Sequence, residues 1–435
     1  MFKRGVKIRQ GVLVSPYGVS CGICTYTSYL LEASNHQIRI LSESPDGKYN
    51  NHSDVIGVID PKNVSYEALK NAVANVNGSP VFWFQHEFGI NPTPEFLKTI
   101  KYLQLLGAKV YVTPHSIHFE SNTVSGMKKD QEEFLEQILP FVDKVVVLSD
   151  GVYKAGVRKF PQYEDKFSEI RHGVHDYSHL PPKQEIRQEL FDFLEDHIID
   201  PKIKRKLDLM QRHLKNNSAL CIGSSGMINR AKTSYLAGLR ASVEKRIQIP
   251  VYALYMGGLH PNAVKSKDEG AYKTLHMLKE AAEHDPRFIF IDMYVPERLF
   301  PYVLGTPDVV CAYEEGNTQS GRTCHLLGIP NTLALVGDFE GNGETLRMIG
   351  IPLARGREDL DTITKRLLLM DPQKRGEIER NRKEYLRKFS WHRQALKHVG
   401  LINVPDSQDT DISSSQRFKR PLETIVLGER RIVVG

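Results

Sequence analysis

The first 150 residues alternate short apolar runs with stretches in which apolar residues recur every three or four positions. Val12-Leu13-Val14 predicts a strand ending at Ser15-Pro16, and residues 22–33 predict a helix. Ile38 to Leu41 predicts a second strand. A helix over 65–76, opening near Ser65, leads to a buried strand at Val81-Phe82-Trp83-Phe84. Residues 94–106 read as a helix closed by Gly107, Lys109 to Thr113 as a strand, 127–139 as a helix and Lys144 to Leu148 as a strand. Apolar strands alternating with helices are the pattern of a parallel sheet wrapped by helices.

After His172-Gly173-Val174 the pattern changes. Residues 182–216 are charged and interrupted at Asp200-Pro201, which suggests a helical insertion or linker over 181–216. A second alternating series follows. It has strands at Leu220-Cys221-Ile222, Val251 to Met256, Phe288 to Ile291, Val309 to Ala312 and Asn331 to Val336. Helices are expected between them at 232–244, 270–283, 296–303 and 320–327, and a charged helical region at 359–399. The expected organisation is therefore α/β with two Rossmann-like domains, 1–180 and 217–385, and a helical segment over 386–405. Residues 406–435 read as a tail, with a solvated stretch from Asp406 to Ser415 and β-prone ends at Leu422 to Val426 and Arg431 to Val434.

Composition narrows the class. Of 435 residues, 40% are hydrophobic and 25% charged, as in an ordinary soluble protein. No run of 18 apolar residues predicts a membrane-spanning helix. Lys and Arg total 58 against 52 Asp and Glu, a net charge of +6. That is too mild a bias for a nucleic-acid partner, yet it permits peripheral contact with an acidic membrane face. Five cysteines, at 21, 24, 221, 311 and 324, form no disulfide framework, which points to a reducing cytoplasm. Cys21-Gly-Ile-Cys24 has the spacing of a redox pair, which would need Cys21 activated at a helix start. A structural zinc would need about four ligands, and no second cysteine pair supplies them.

Ligands of open parallel sheets lie beyond the carboxyl ends of the strands. The first such loop is Pro16-Tyr17-Gly18-Val19-Ser20-Cys21-Gly22, whose glycines allow close backbone approach. Gln85-His86-Glu87-Phe88-Gly89 and Pro114-His115-Ser116-Ile117-His118 follow later strands and suggest a polar cleft. In the second half, Gly223 to Lys232 joins a strand to a helix, and a lysine there suits a diphosphate. It is neither a Gly-Lys-Ser/Thr phosphate loop nor a Gly-x-Gly-x-x-Gly turn. Glu314-Glu315-Gly316-Asn317-Thr318-Gln319-Ser320-Gly321 offers a carboxylate for ribose hydroxyls and small polar residues for phosphates or a sugar. Thr318 or Ser320 could equally cap the helix that follows.

In order and spacing, these segments resemble the retaining family-4 glycosyltransferases of the GT-B architecture, over roughly residues 11–400. The segments are the first glycine loop, Gln85 to Ile90, Val112-Thr113-Pro114-His115, Ile170 to Val174, Gly226 with Lys232, Glu315 to Pro330, and Phe389-Ser390-Trp391. The resemblance implies two domains facing a cleft and a C-terminal helix returning to the first domain. It also implies retaining transfer of a sugar from a nucleotide-sugar donor to a glycan, lipid-linked or small-molecule acceptor, without metal or other cofactor. Catalytic roles then fall on His115, Lys232 and Glu315. The donor would be held by Gly226, Arg230, Lys232, Glu315, Asn317, Thr318, Gln319, Ser320 and Gly321, and the acceptor by Gly18, Ser20, Gly22, His86 and Glu87. The implied setting is the cytoplasm, at or near the inner face of the membrane. The sequence departs from the family at Thr323, where a second glutamate is usual, and at Met227, where an arginine is common. Arg230 or Arg322 would restore the charge. These departures leave open a catalytically degenerate nucleotide-binding scaffold, and the fold also admits a nucleotide-sugar epimerase.

Overall fold

The computed structural model describes residues 10–19, 21–44, 52–76, 78–120, 126–228, 233, 235–314 and 318–403. The first sheet contains β1 (Gln10–Ser15), β2 (Arg39–Glu43), β3 (Val55–Ile59), β4 (Pro80–His86), β5 (Lys109–Pro114), β6 (Lys144–Val147) and β7 (Phe167–Glu169). Their order is β3-β2-β1-β4-β5-β6-β7, and every pairing is parallel. The second sheet contains β8 (Leu220–Ser225), β9 (Val251–Met256), β10 (Phe288–Ile291), β11 (Val309–Cys311) and β12 (Leu333–Leu335). It is also parallel, in the order β10-β9-β8-β11-β12. Each sheet reverses its strand order once, between β1 and β4 and between β8 and β11. Those reversals open the crevices in which such sheets bind ligands.

The central strands read as unbroken apolar runs because both of their faces are covered. Val12, Val14, Phe82, Phe84, Val110 and Val112 form one core. Leu13, Trp83, Tyr111 and Val146 face the other way, against Tyr26, Leu30 and the last helix. In the second domain Cys221, Tyr252, Leu254 and Ile289 pack on the helices Lys183–His197 and Pro201–Lys215. The charged stretch 181–216 is thus the cover of one sheet face. Its Leu190, Leu194, Leu207, Met210 and Leu214 turn inward while most of its charges stay outside, the exception being buried Arg187, paired with Asp308 at 2.9 Å.

Several elements lie outside the sequence expectation, among them the helix Asp150–Lys159 and the short helices Pro161–Lys166 and Pro261–Ser266. The edge strand β3 is Val-Ile-Gly-Val-Ile, short and only half-buried. β7 has three residues. The helix Glu340–Ile349 opens with Glu-Gly-Asn-Gly-Glu, which has no apolar periodicity. The helix expected over 232–244 runs instead over Leu236–Ile247. The tail beyond residue 403 lies outside the described residues.

The chain crosses between domains at two adjacent points. The Val174 N–H donates to the Phe389 carbonyl at 2.9 Å, and the Trp391 N–H to the Val174 carbonyl at 3.2 Å. A β-carbon on Gly173 would overlap the Trp391 indole, so only glycine fits. The helix Trp391–Ile402 then lies on the first domain, with Ala395 and Ile402 against Leu13 and Leu30. The charged region 359–399 divides into Leu360–Leu368, Pro372–Phe389 and this last helix, the final break falling at the N-cap Ser390.

The helix Glu340–Ile349 joins the domains directly. The Glu344 carboxylate accepts the Asp150 and Gly151 N–H groups at 3.1 and 2.9 Å and pairs with Arg171. Asp150 and Gly151 begin the helix Asp150–Lys159, whose N-terminal dipole favours an anion. Fully buried Glu340 accepts the Phe119 N–H at 3.2 Å and the Glu120 N–H at 3.4 Å, and its Oε1 lies 3.2 Å from His118 Nδ1.

Candidate active site

The carboxyl ends of β1, β2, β4 and β5 face those of the second sheet across a cleft of about 990 Å³. The first-domain wall carries Gly22, Glu43, Glu87, His115 and Ser116, and the opposite wall carries Thr318, Gln319, Gly321 and Arg322. A smaller space of about 190 Å³ is lined by Gly226, Met227, Gly257 and Gly258, and Thr25, Tyr29, Phe300 and His325 border both.

His115 follows β5 on the face that also carries Trp83 and Thr113, whose side chains are hydrogen-bonded at 2.8 Å. Its Nε2 lies 2.9 Å from Gln85 Oε1, and its ring stands edge-on to Tyr26 at 5.0 Å. Burial, reinforced by neighbouring His172 and His86, lowers its pKa to about 3. Ser116 donates to Glu87, fixing that carboxylate at the cleft. Gly22 begins the helix Gly22–Ala33. Gly18, at φ +73°, lies in a side pocket of about 400 Å³ with Tyr17, His52 and Glu297.

His86 does not reach the cleft. It is buried, stacks on Phe134 at 4.3 Å and sits edge-on to Phe88 at 5.0 Å. Burial depresses its pKa to about 3, and neither ring nitrogen has a hydrogen-bond partner among the described residues.

On the opposite wall Ser320 is the N-cap of the helix Gly321–Gly328 but makes no side-chain cap bond. The first-turn N–H groups are therefore not consumed by a side-chain cap. Arg322 lies under the loop after β8, donating to Ser224 Oγ at 2.9 Å and the Ser225 carbonyl at 3.1 Å, with Glu314 3.8 Å away. Gly226 adopts φ +118°, a conformation open to glycine, and its carbonyl accepts the Tyr255 hydroxyl at 2.8 Å. Thr318 donates to the His115 carbonyl at 2.8 Å and Gln319 to the Leu148 carbonyl at 3.2 Å. Ser20, Arg230, Lys232, Glu315 and Asn317 lie outside the described residues.

The cleft also holds groups that sequence reasoning missed. The Trp391 indole N–H donates to His175 Nε2 at 3.0 Å, and His175 stacks on His325 with centroids 4.0 Å apart. The Tyr177 hydroxyl lies 2.6 Å from His325 Nδ1. Burial lowers the pKa of His172 to about 4, of His175 to about 2 and of His325 to about 3. These neutral rings can exchange hydrogen bonds with sugar hydroxyls without attracting an anion to that part of the cleft. Tyr29 reaches across the cleft to donate to Glu297. Histidines directly after Arg171, spaced three apart, were the available signal for His172 and His175.

The Cys21–Cys24 pair is not poised for redox work. Cys21 is the N-cap of its helix, its sulfur accepting the Cys24 N–H at 3.2 Å. Desolvation raises its pKa, the reverse of an activated thiol. All five cysteines are free. Among the described residues no group of three or more His, Cys, Asp or Glu has the arrangement of a metal site, and no helix is long and apolar enough to cross a membrane.

No family model matches the chain, and no curated protein matches it in sequence. Solved structures do match. A UDP-forming α,α-trehalose-phosphate synthase from Burkholderia xenovorans, in complex with glucose-6-phosphate, superposes with a TM-score of 0.62 at 11% identity. The match covers 91% of this chain and 100% of that one. The corresponding enzyme of Burkholderia vietnamiensis gives a TM-score of 0.64 at 10% identity, covering 91% and 99%. HepE from Anabaena, in complex with UDP and glucose, gives 0.59 at 11% identity, covering 91% and 99%. With its two parallel sheets, shared cleft and returning C-terminal helix, the chain has the GT-B fold over nearly its whole length.

Proposed function

We propose that the protein is a nucleotide-sugar-dependent glycosyltransferase acting with retention at the anomeric carbon. The observation that carries this reading is the meeting of both strand-order reversals on one polar cleft. On its second-domain wall are a helix start without a side-chain cap and Arg322; on its first-domain wall are Glu87, His115 and Ser116, polar groups of the kind that can bond sugar hydroxyls. The likeness to a UDP-forming trehalose-phosphate synthase, and to a protein of the same fold found with UDP and glucose, supports it.

In this reading the nucleotide diphosphate lies between the Gly226 loop and the first turn after Ser320. Lys232 and the backbone N–H groups stabilise the charge that develops on the departing diphosphate. Arg322 contributes from below the loop, supplying the cation that Met227 does not. Glu315 binds the ribose. His115, neutral and held by Gln85, orients the transferred sugar, and Glu87 faces the acceptor. Losing one charge-stabilising contact costs about 3–4 kcal/mol in the transition state, so Lys232→Ala should lower turnover by roughly 100-fold or more.

The test is thermal unfolding against nucleotides and nucleotide sugars. A ligand at 100 times its dissociation constant stabilises by about 2.7 kcal/mol. One nucleotide family should raise the unfolding temperature, and Glu315→Ala should abolish the shift. NMR of the product of the matching donor should then show the donor's anomeric configuration. A folded sample stabilised by no nucleotide refutes the reading and favours a degenerate scaffold. Conversion of the donor with no acceptor, releasing a different sugar nucleotide, would make the protein an epimerase.

A further inference from the structure

The first domain holds an acidic group that the reading above leaves unused. β2 ends on Glu43, which is buried yet forms part of the cleft wall. Glu43 Oε1 accepts the Asn91 amide at 2.6 Å, and Asn91 Oδ1 in turn accepts the Glu87 N–H at 3.3 Å. One side chain thus ties the Glu43 carboxyl to the Glu87 backbone, while Ser116 holds the Glu87 carboxylate. Glu43 Oε2 has no hydrogen-bond partner among the described residues. A buried carboxyl oxygen left in this state is costly, and a bound molecule that supplies the missing bond recovers the loss.

The surroundings restrict what that molecule can be. Glu43 and Glu87 stand on the same wall, and the Cys21 thiol lies close enough to feel the Glu43 charge. Lys62 contributes a cation, but from an exposed position on the rim. Arg322 and Lys265 belong to the other domain. A phosphate placed against Oε2 would bring negative charge between two carboxyl groups, with no buried cation on this wall among the described residues to offset it. A hydroxyl both donates and accepts, so it satisfies Glu43 whether ionised or protonated. Burial raises the Glu43 pKa to about 8, so both forms are accessible near neutral pH.

The geometry points to Glu43 as the residue that selects the acceptor: Oε2 takes a hydroxyl of an uncharged polyol, and the wall excludes acceptors that place a phosphate there. This rests on the glycosyltransferase reading and adds to it the acceptor class and the residue that fixes it. The consequence is a chemical distinction from the trehalose-phosphate synthase found with glucose-6-phosphate.

The experiment uses the full chain with the nucleotide that stabilises it. Glucose, galactose, mannose and myo-inositol are compared with glucose 6-phosphate, mannose 6-phosphate and inositol 1-phosphate by saturation-transfer NMR. Two variants accompany the wild type. Glu43→Met keeps the side-chain length and removes both oxygens. Gly89→Gln adds bulk to another lining residue of the cleft, at a position where an added β-carbon meets nothing within 4 Å, so it tests the site even if Glu43→Met misfolds. An uncharged polyol should bind, and each variant should weaken it by roughly tenfold or more while nucleotide affinity stays within twofold. Tighter binding of a phosphate ester than of its parent polyol overturns the proposal. So does polyol binding that survives both variants, or nucleotide binding with no polyol bound. A wild type that binds no nucleotide overturns the glycosyltransferase reading itself, and this proposal with it.

Discussion

Gly341 is a residue whose substitution should disturb both the cleft loop in front of it and the helix that carries it. It sits in the first turn of the helix Glu340–Ile349, directly behind the loop that carries Thr318 and Gln319. A β-carbon there would stand 2.5 Å from the Thr318 carbonyl oxygen. Ordinary contact with a carbonyl begins near 3.4 Å, so Gly341→Ala must displace this loop or its own helix by about 0.9 Å, because backbone cannot swing aside as a flexible side chain does. The neighbouring Glu340 carboxylate, bonded to Phe119 and Glu120, resists movement of the helix. The loop therefore moves, and with it the bond from Thr318 to the His115 carbonyl.

A misplacement of about 1 Å costs on the order of 100-fold in rate, or about 2.7 kcal/mol at 1.36 kcal/mol per decade. Overpacking lowers stability by a further ~1–3 kcal/mol. The control is Gly238→Ala, in an exposed helical position where the new β-carbon meets nothing within 4 Å. Replacing a helical glycine there should stabilise by about 0.5–1 kcal/mol and leave kinetics alone. Steady-state transfer kinetics and urea unfolding are measured on both. Gly341→Ala with donor kcat/KM within threefold of wild type would refute the argument that this loop is held in place by the helix behind it.

Acid should unfold the protein from just below neutrality. Six histidines, at 86, 115, 172, 175, 325 and 398, have pKa values lowered by burial to between about 2 and 4. The unfolded chain protonates them near pH 6.5 and the folded chain does not. Their stabilising contribution is therefore complete above that pH and is lost as pH falls toward 3, each at up to about 1.4 kcal/mol per pH unit. Urea midpoints from pH 8 to 4 check this, and a flat profile through pH 6–4.5 would contradict it. Arg322→Ala should weaken nucleotide binding about 100-fold in calorimetric titration, since it removes the cation joined to Ser224 and Ser225. Cys21→Ser should retain full transfer activity and an unchanged or higher unfolding temperature, because serine is a better N-cap than the thiol it replaces. Glu344→Gln should lower unfolding free energy by ~1.5–3 kcal/mol, because two helix N–H groups lose a charged acceptor and Arg171 keeps only its pair with Glu169, and it should weaken nucleotide binding although Glu344 does not line the cleft.

The sequence made the central strands plain because a parallel sheet covered on both faces demands unbroken apolar runs, as at Val81 to Phe84. It also placed His115, Glu87, Thr318, Gln319 and Gly321 at strand ends that converge on the cleft. It misdirected His86 for a reason visible in strand alternation. His86 shares the face of Phe82 and Phe84, which build the core, whereas Gln85 shares that of Trp83 and meets His115. Glu43 was obscured because the apolar run at Ile38 to Leu41 stops short of it, and only the end of β2 shows that it reaches the cleft wall. The domain-joining helix was hidden by Gly341 and Gly343, which weaken a helical pattern. Both are required by close backbone, Gly341 by Thr318 and Gly343 by the Gly337 carbonyl.

The contacts between domains bear on how such a site works. The loop that holds the proposed donor is not anchored within its own domain alone. Thr318 and Gln319 donate to carbonyls of residues 115 and 148 in the first domain. Glu340 and Glu344, from the helix behind that loop, are bonded to residues 118–120, to 150–151 and to Arg171. Tyr29 and Glu297 add a bond on the far side of the cleft. The donor loop therefore has its described geometry only while the domains are joined. Any ligand that prefers this geometry must favour the joined state, and by linkage anything that lowers the joined population must weaken that ligand in proportion. The wall bearing Glu43 and His115 belongs to the same joined state, so donor and acceptor affinities should be coupled without direct contact between the two molecules.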